Sequence, residues 1–220
     1  MSQEDLLGSD AVVQARLAEI AKRLEREFEG IHDAATVRQV LDESARQVSG
    51  GGVGSYVTIL AERFARERLT ASAQVAGTMA KEAPQVVFVS LTGGGRAQIG
   101  AALLARRMGA AVDVHSAGSE TSVADVDENV RAAMESMGID LSEAFSKPLT
   151  QEILANADVL VTMGRSVGEF EIPSGVRHLD WRIGNPAGAE PDEVRRVCED
   201  IERRVEALVA QLATAAVAAG

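Results

Sequence analysis

Residues 85 to 98 read Gln-Val-Val-Phe-Val-Ser-Leu-Thr-Gly-Gly-Gly-Arg-Ala-Gln, and this stretch decides the expected fold. Val86 to Val89 form a short apolar, β-rich run, which is typical of a buried strand in a parallel sheet. Gly93 to Gly95 follow as a loop, and Arg96 opens an apolar segment that favours a helix. A strand, a glycine loop and a helix N-terminus together direct backbone N–H groups and a helix dipole at an anion. The stretch therefore predicts an α/β fold with an anion site, where the planar guanidinium of Arg96 suits a tetrahedral oxyanion.

The segment in front of this stretch has helical periodicity. Apolar residues recur every three or four positions in three runs, at residues 11–28, 34–48 and 55–74, and residues 1–10 are polar and expected to fray. In the third run the pattern places Tyr56, Ile59, Leu60 and Phe64 inward and a charged face of Glu62, Arg63, Arg66, Glu67 and Arg68 outward. The sequence predicts a small all-α three-helix bundle over residues 1–80. A core of this size is marginal alone, which favours a homodimer formed through these helices.

From residue 81 onward, strands and helices alternate. Strands are expected at residues 86–89, 111–115, 157–162 and 176–179, a turn at 116–120, and helices at 126–137, after Thr150, and from Pro191. This order predicts an α/β domain over residues 81–220, with a four-stranded parallel sheet and helices on both faces. In such a sheet, ligands bind at the carboxyl ends of the strands.

Composition narrows the range of partners. The 220 residues carry a net charge of −11 and a pI of about 4.8, which argues against nucleic acid or an anionic membrane as the main partner. No basic, apolar leader is apparent at the amino terminus and no apolar run reaches the ~20 residues of a membrane span, so a cytoplasmic protein is expected. The three histidines and the single cysteine, Cys198, show no metal-ligand spacing, and we expect no metal and no cofactor.

Several motifs recur in the order of a known family. They are Val-Phe-Val-Ser with Arg six residues after the Ser, Ser116-Ala117-Gly118-Ser119-Glu120, Ser146-Lys147-Pro148-Leu149-Thr150, Ala157-Asp158-Val159 with Thr162-Met163-Gly164, and Leu179-Asp180-Trp181. Over residues 85–212 the chain resembles the low-molecular-weight protein tyrosine phosphatases, most closely their arsenate reductase branch. The helices in front are similar to the dimerisation segment of some actinobacterial members.

The resemblance implies a phosphate loop in which a Cys thiolate is the nucleophile, an Arg holds the oxyanion and a later Asp donates a proton to the leaving group. Carried over by position, these roles fall on Ser90, Arg96 and Asn185. The loop Asn of the family falls on Gly93, and the hydroxyl residue after its arginine falls on Ala97. Only the arginine is retained.

These replacements weaken each chemical step that the family performs. A cysteine works here because the loop lowers its pKa, whereas a serine needs an adjacent general base. Asn185 has no carboxylic proton to give. Arsenate reduction also needs sulfur that supplies electrons and is itself oxidised, which a hydroxyl cannot do. Cys198 lies on the apolar stripe of the last helix and is interpreted as a buried small hydrophobic residue.

Three functions stay open on the sequence alone. The first, which we favour, is a degenerate member that still binds an oxyanion such as phosphate, arsenate or a phosphorylated group. Its binding loop would comprise Ser90, Leu91, Thr92, Gly93, Gly94, Gly95 and Arg96. The second is an enzyme that works by a modified mechanism, with Ser90 activated by a base that the loop itself does not supply; His115, His178 and Asp180 could approach only through the fold. The third is a dimerisation module in which the loop is vestigial.

Overall fold

The computed structural model describes residues 3–48, 54–91, 95–119, 126–141, 144–164 and 171–219. The chain divides into two compact units, one comprising Met1–Lys81 with Thr150–Asn156 and the other Glu82–Leu149 with Ala157–Gly220. The first unit thus includes a short segment that lies far along the chain from its other helices. The prediction divides the chain once, at residue 80, and so assigns residues 150–156 to the second domain.

The helices and strands follow one another in the predicted order. The helices are α1 (Gln3–Glu27), α2 (Ala34–Val48), α3 (Gly54–Val75), α4 (Arg96–Met108), α5 (Glu128–Ser136), α6 (Gln151–Asn156) and α7 (Pro191–Ala219). The strands are β1 (Gln85–Ser90), β2 (Asp113–Gly118), β3 (Val159–Met163) and β4 (Arg177–Trp181). The helical amino-terminal region and the α/β region behind it are confirmed.

In the first unit, α3 packs against α1, α2 and the distant α6. Its buried stripe contains Val57, Leu60, Ala61, Phe64 and Leu69. Together with the buried Ala65 they are linked by spacings of three and four, as one face of a helix requires. The side chains of α6 complete this core, since Ile153 and Leu154 are almost fully buried.

The predicted inward face of α3 is wrong at two residues. Tyr56 and Ile59 are 45% and 53% exposed, although both belong to an apolar pattern with Leu60 and Phe64. The true stripe is rotated towards small alanines, which bury little area and give a weak apolar signal. One residue predicted to face solvent, Arg68, is only 6% exposed.

Arg68 is buried because carboxylates from two other helices surround it. Its Nη2 donates to Glu43 on α2 at 2.9 Å and to Glu152 on α6 at 2.8 Å. Its Nη1 donates to the Ser44 hydroxyl at 3.4 Å, and its guanidinium carbon lies 5.9 Å from the centre of the Phe64 ring. A buried cation needs such partners, and none of them is visible in the periodicity of α3.

In the second unit the four strands form one parallel sheet in the order β2-β1-β3-β4. This confirms the predicted four-stranded parallel sheet. All six residues of β1 are buried, as expected for the apolar run that ends at Ser90. Helix α4 packs on β1, and Gly100 allows the close approach, because a Cβ there would lie 2.7 Å from the Phe88 ring.

Some predicted boundaries are wrong. β2 was expected at residues 111–115 but runs to Gly118, because residues 109–111 form a 3-10 turn and the supposed turn at 116–118 pairs with β1. Helix α1 begins at Gln3, inside the stretch expected to fray, whereas the bounds of α2 agree with the prediction.

Trp181 packs edge-on against Phe88 with ring centroids 5.8 Å apart, so it belongs to the core.

Candidate functional site

The candidate site begins at the carboxyl end of β1, in the middle of the sheet. Ser90 is the last residue of that strand, is 3% exposed, and lies level with Gly118 of β2 and Met163 of β3. Helix α4 starts six residues later, at Arg96. Open parallel sheets bind ligands at this end of the sheet, where the carboxyl ends of the strands lie.

The residues between these two points are described in part. Leu91 is exposed, and its carbonyl accepts a long 3.5 Å hydrogen bond from the Ser119 hydroxyl. The carbonyl of Ser90 accepts from the Ser119 backbone N–H at 3.0 Å. Thr92, Gly93 and Gly94, which the sequence assigns to the binding loop, lie outside the described residues.

Arg96 is a half-buried cation with little compensation. Its Nη1 donates to the carbonyl of Ile183 at 2.8 Å. Among the described residues no carboxylate pairs with it, and burial lowers the pKa of its guanidinium from the ordinary value. A desolvated cation that retains donor N–H groups is a natural partner for an anion.

Gly164, the residue after β3, provides the surface on which this guanidinium rests. Its φ is +99°, a value that favours glycine, and a Cβ at this position would lie 2.9 Å from Nη1 of Arg96. Glycine is therefore required here both by the backbone and by the arginine.

Asn185, to which the sequence analysis assigns the family's acid role, lies on a loop beside the same helix terminus. It is exposed, and its Oδ1 accepts a long 3.4 Å hydrogen bond from the Ala187 N–H. The next residue, Pro186, is buried, and its Cγ lies 3.6 Å from where a Cβ of Gly95 would be. The structure thus brings the Asn185 loop next to Gly95.

The side chains considered as bases for Ser90 are placed elsewhere. His115 pairs with Asp113 at 3.5 Å, and His178 shares a 2.9 Å hydrogen bond with the Thr162 hydroxyl. In the register of the sheet both histidines lie level with Val87, three residues before Ser90. This corresponds to about 10 Å along the strand direction at roughly 3.3 Å per residue.

The third candidate base, Asp180, is on β4, which is separated from β1 by β3. Its carboxylate pairs with Arg182 at 3.4 Å. None of the three candidate bases therefore reaches the end of β1.

Cys198 is fully buried in α7, which confirms its interpretation as a packed hydrophobic residue. Burial raises the pKa of its thiol to about 11, so the thiolate is scarce at neutral pH. Within the described ranges no cluster of three His, Cys, Asp or Glu side chains could hold a metal, and no described helix is long and apolar enough to cross a membrane.

Two residues that the sequence analysis passed over contact the Asn185 loop. Asp127 accepts from the backbone N–H of Gly188 at 3.2 Å, and the side-chain amide of Asn129 donates to the carbonyl of Ala189 at 3.2 Å. The one available signal was Asp127 as a helix cap before residue 128. Nothing local pointed to the partner loop sixty residues away.

Comparison with known proteins gives the family. Residues 85–218 match the low molecular weight phosphotyrosine protein phosphatases, and residues 17–73 match the protein-tyrosine-phosphatase-like N-terminal domain. The chain is 31% identical to an arsenate reductase of Brevibacillus brevis over 128 residues, which cover 57% of this chain and 94% of that one. It is 33% identical to an arsenate reductase of Halalkalibacterium halodurans over 131 residues, covering 56% and 93%.

Two solved structures extend the likeness. A thioredoxin-dependent arsenate reductase of Corynebacterium glutamicum is 30% identical with a TM-score of 0.81, covering 90% of this chain and 97% of that one. An arsenate reductase in a phosphate-binding state is 26% identical with a TM-score of 0.52, covering 59% and 98%. The chain belongs to the low molecular weight phosphotyrosine protein phosphatase family, within which its relatives include arsenate reductases.

Proposed function

We propose that this chain binds a tetrahedral oxyanion, phosphate or arsenate, between the end of β1 and the start of α4, and that it lacks the catalysis of its family. The observation that carries the proposal is the contrast at this site. Arg96 is held in place with Gly164 and Ile183 against it, while Ser90 and Asn185 occupy the positions of the family nucleophile and acid. The arginine that would bind the anion is kept, whereas the Cys nucleophile and the Asp acid of the family are replaced.

Binding is supported by the setting of Arg96. Its guanidinium is partly desolvated, pairs with a neutral carbonyl and stands at the N-terminus of a thirteen-residue helix. The helix dipole and the fixed charge both favour an anion there. A relative of similar fold has been solved in a phosphate-binding state, which makes phosphate the first ligand to test.

Absence of catalysis is supported by the chemistry of the two replaced groups. The hydroxyl of Ser90 needs a base to attack phosphorus, and the candidate bases are paired elsewhere among the described residues. The amide of Asn185 cannot protonate a leaving group. The second function, an enzyme that uses Ser90, therefore lacks a described base.

The test of binding is calorimetric titration of the full chain with phosphate, arsenate and sulfate. The parent should bind, and Arg96→Ala should weaken binding at least about a hundredfold, since hydrogen bonds to charged groups contribute about 1.5–3 kcal/mol each. Arg182→Ala is the matched control, because it removes the same charge from a side chain that is 91% exposed. Equal losses in the two variants would show a general charge effect and refute the site.

The test of catalysis is hydrolysis of an aryl phosphate. The parent should show no turnover, and Ser90→Cys combined with Asn185→Asp should exceed Ser90→Cys alone by about a hundredfold, the lower range for a positioned general acid. Turnover by the parent would contradict the proposal. Full activity of Ser90→Cys alone would show that Asn185 is not the missing acid.

The helical unit supports a proposal of its own, a homodimer formed through its exposed apolar face. Val12 on α1 and Tyr56 and Ile59 on α3 are 54%, 45% and 53% exposed, and Val12 and Ile59 line a groove of about 460 Å³. Sedimentation analysis should show a dimer that Ile59→Glu dissociates. Val75→Glu is the control, because Val75 is an equally exposed residue at the far end of α3. A monomeric parent would refute the dimer.

A further inference from the structure

The N-terminus of α5 carries a carboxylate with two separate tasks. Oδ1 of Asp127 accepts from the backbone N–H groups of Asn129 at 3.0 Å and Val130 at 3.4 Å, which is an ordinary helix cap. Oδ2 accepts from the N–H of Gly188, at 3.2 Å, on the loop that follows Asn185. One side chain therefore ties the start of a helix to a distant loop.

A second tie lies next to the first. The side-chain amide of Asn129 donates to the carbonyl of Ala189 at 3.2 Å. Between the two contacts the loop makes a tight turn, in which the Ala189 N–H donates to the Pro186 carbonyl at 3.1 Å and Gly188 has a φ of +68°. The two side chains hold one N–H and one carbonyl of this turn, and so set the position of the turn as a whole.

The other side of the turn faces Gly95. Pro186 is buried, and its ring lies 3.6 Å from the position of a Cβ on Gly95, the residue before Arg96. We infer that Asp127, with Asn129, is a positioning residue of the oxyanion site: it holds the Asn185–Ala189 loop against Gly95 and so keeps the helix terminus and Arg96 in place for the anion. This inference rests on the proposed function.

The sign of the effect makes the inference testable. A carboxylate near an anion site repels the anion, so neutralising Asp127 should strengthen binding if charge alone mattered. If Asp127 acts through the loop, its removal should weaken binding instead. The two roles therefore predict opposite changes.

Asp127→Asn is the informative variant. Asparagine caps helices as well as aspartate does, so α5 is retained, but an amide NH₂ in place of Oδ2 cannot accept from Gly188. Asp33→Asn is the matched control, because Asp33 caps α2 through a 2.7 Å bond from the Thr36 N–H and its removal changes the net charge equally. Asn129→Ala is the second variant; it breaks only the tie to Ala189 and leaves the capping side chain unchanged.

Two measurements decide the matter. Backbone hydrogen exchange without ligand should be at least about tenfold faster at Gly188 in Asp127→Asn than in the parent, and unchanged in Asp33→Asn. Titration with inorganic phosphate should show binding weakened about tenfold in Asp127→Asn, less in Asn129→Ala, and unaltered in Asp33→Asn. Together these results would establish the positioning role.

The contrary outcomes are distinct. A parent that binds phosphate while Asp127→Asn binds it equally or more tightly overturns the inference and leaves the proposed function standing. Unchanged exchange at Gly188 in Asp127→Asn overturns it as well, because the tie would then not hold the loop. A parent that binds no phosphate refutes the proposed function itself and, with it, any positioning role.

Discussion

Arg68 in the helical unit and Arg96 in the α/β unit are both withdrawn from solvent, but their surroundings are opposite. Arg68 has carboxylates of Glu43 and Glu152 on its guanidinium. Burial acts to lower the pKa of Arg68, yet the hydrogen bonds and charges of the two glutamates outweigh it and the pKa is raised. Arg96 has one neutral carbonyl partner among the described residues, and burial lowers its pKa.

The contrast distinguishes an arginine that stabilises the fold from an arginine that is suited to bind an anion. Arg68 is neutralised by its own protein, so it holds α2, α3 and α6 together and has no affinity left for an added anion. Arg96 bears the cost of desolvation with no counter-ion among the described residues, a cost that an arriving oxyanion would offset. Three experiments test whether the two arginines differ in this way.

Replacing Arg68 should destabilise the protein most. Arg68→Ala leaves Glu43 and Glu152 partly buried with no cation, and breaking a buried ion pair in this way costs about 3–5 kcal/mol. Urea unfolding followed by circular dichroism gives the free energy of unfolding. Phosphate binding by the fraction that remains folded should be unchanged.

The control for Arg68 is an arginine that pairs at the surface. Arg23 donates to Glu62 at 2.6 Å but is 49% exposed, so Arg23→Ala should cost no more than about 1 kcal/mol. Similar losses for Arg23→Ala and Arg68→Ala would show that Arg68 stabilises the fold no more than a surface arginine does.

The setting of Arg96 can be disturbed without touching its side chain. Gly164→Ala places a Cβ 2.9 Å from Nη1 of Arg96, and should weaken phosphate binding about tenfold, equivalent to about 1.4 kcal/mol. Gly175→Ala is the control: Gly175 has the same φ of +99° but nothing within 4 Å of a Cβ. Both variants should lose similar stability from the backbone. Equal phosphate affinities in the two would show that Gly164 does not position Arg96.

The burial of Arg68 also shows which features of the fold can be predicted from the sequence and which cannot. Strand and helix order followed from periodicity, and α2 was placed at its true bounds because its apolar stripe is unambiguous. The burial of Arg68 could not be predicted, since one of its carboxylates, Glu152, comes from α6, more than eighty residues away. Tyr56 and Ile59 were misplaced for the related reason that alanines and an arginine fill the inner face.

At the candidate site, the residues that the sequence alone can place together are neighbours in the chain. Ser90 and Arg96 lie at the two ends of one loop, so their proximity is dictated locally. The tie from Asp127 to Gly188 was missed because it joins a side chain to a backbone N–H, which leaves no mark on residue type. The role of Gly164 was missed because it depends on an absent Cβ.

The smallest effect concerns the pH dependence of the Arg68 cluster. Burial acts to raise the pKa of Glu152, but the hydrogen bond and charge of Arg68 and a backbone hydrogen bond outweigh it, so the pKa lies below the ordinary 4.5. A carboxyl whose pKa is lowered by folding adds stability that is complete above its unfolded pKa and is lost as the pH falls through its folded pKa. Glu152→Gln should therefore be less stable than the parent at pH 7, by about 1 kcal/mol, because Arg68 keeps Glu43 as a partner.

That difference should shrink as acid protonates Glu152 in the parent, so the two free energies of unfolding should converge as the pH falls from 4.5 through the lowered pKa of Glu152. Glu128→Gln, which removes a charge at the exposed start of α5, should show no such convergence. Arg68 would then pair with Glu43 alone in both proteins, whereas Arg96 pairs with no carboxylate of the described residues. A constant difference between parent and Glu152→Gln from pH 7 to pH 3 would mean that Glu152 contributes through packing, and the contrast between the two arginines would rest on Glu43 alone.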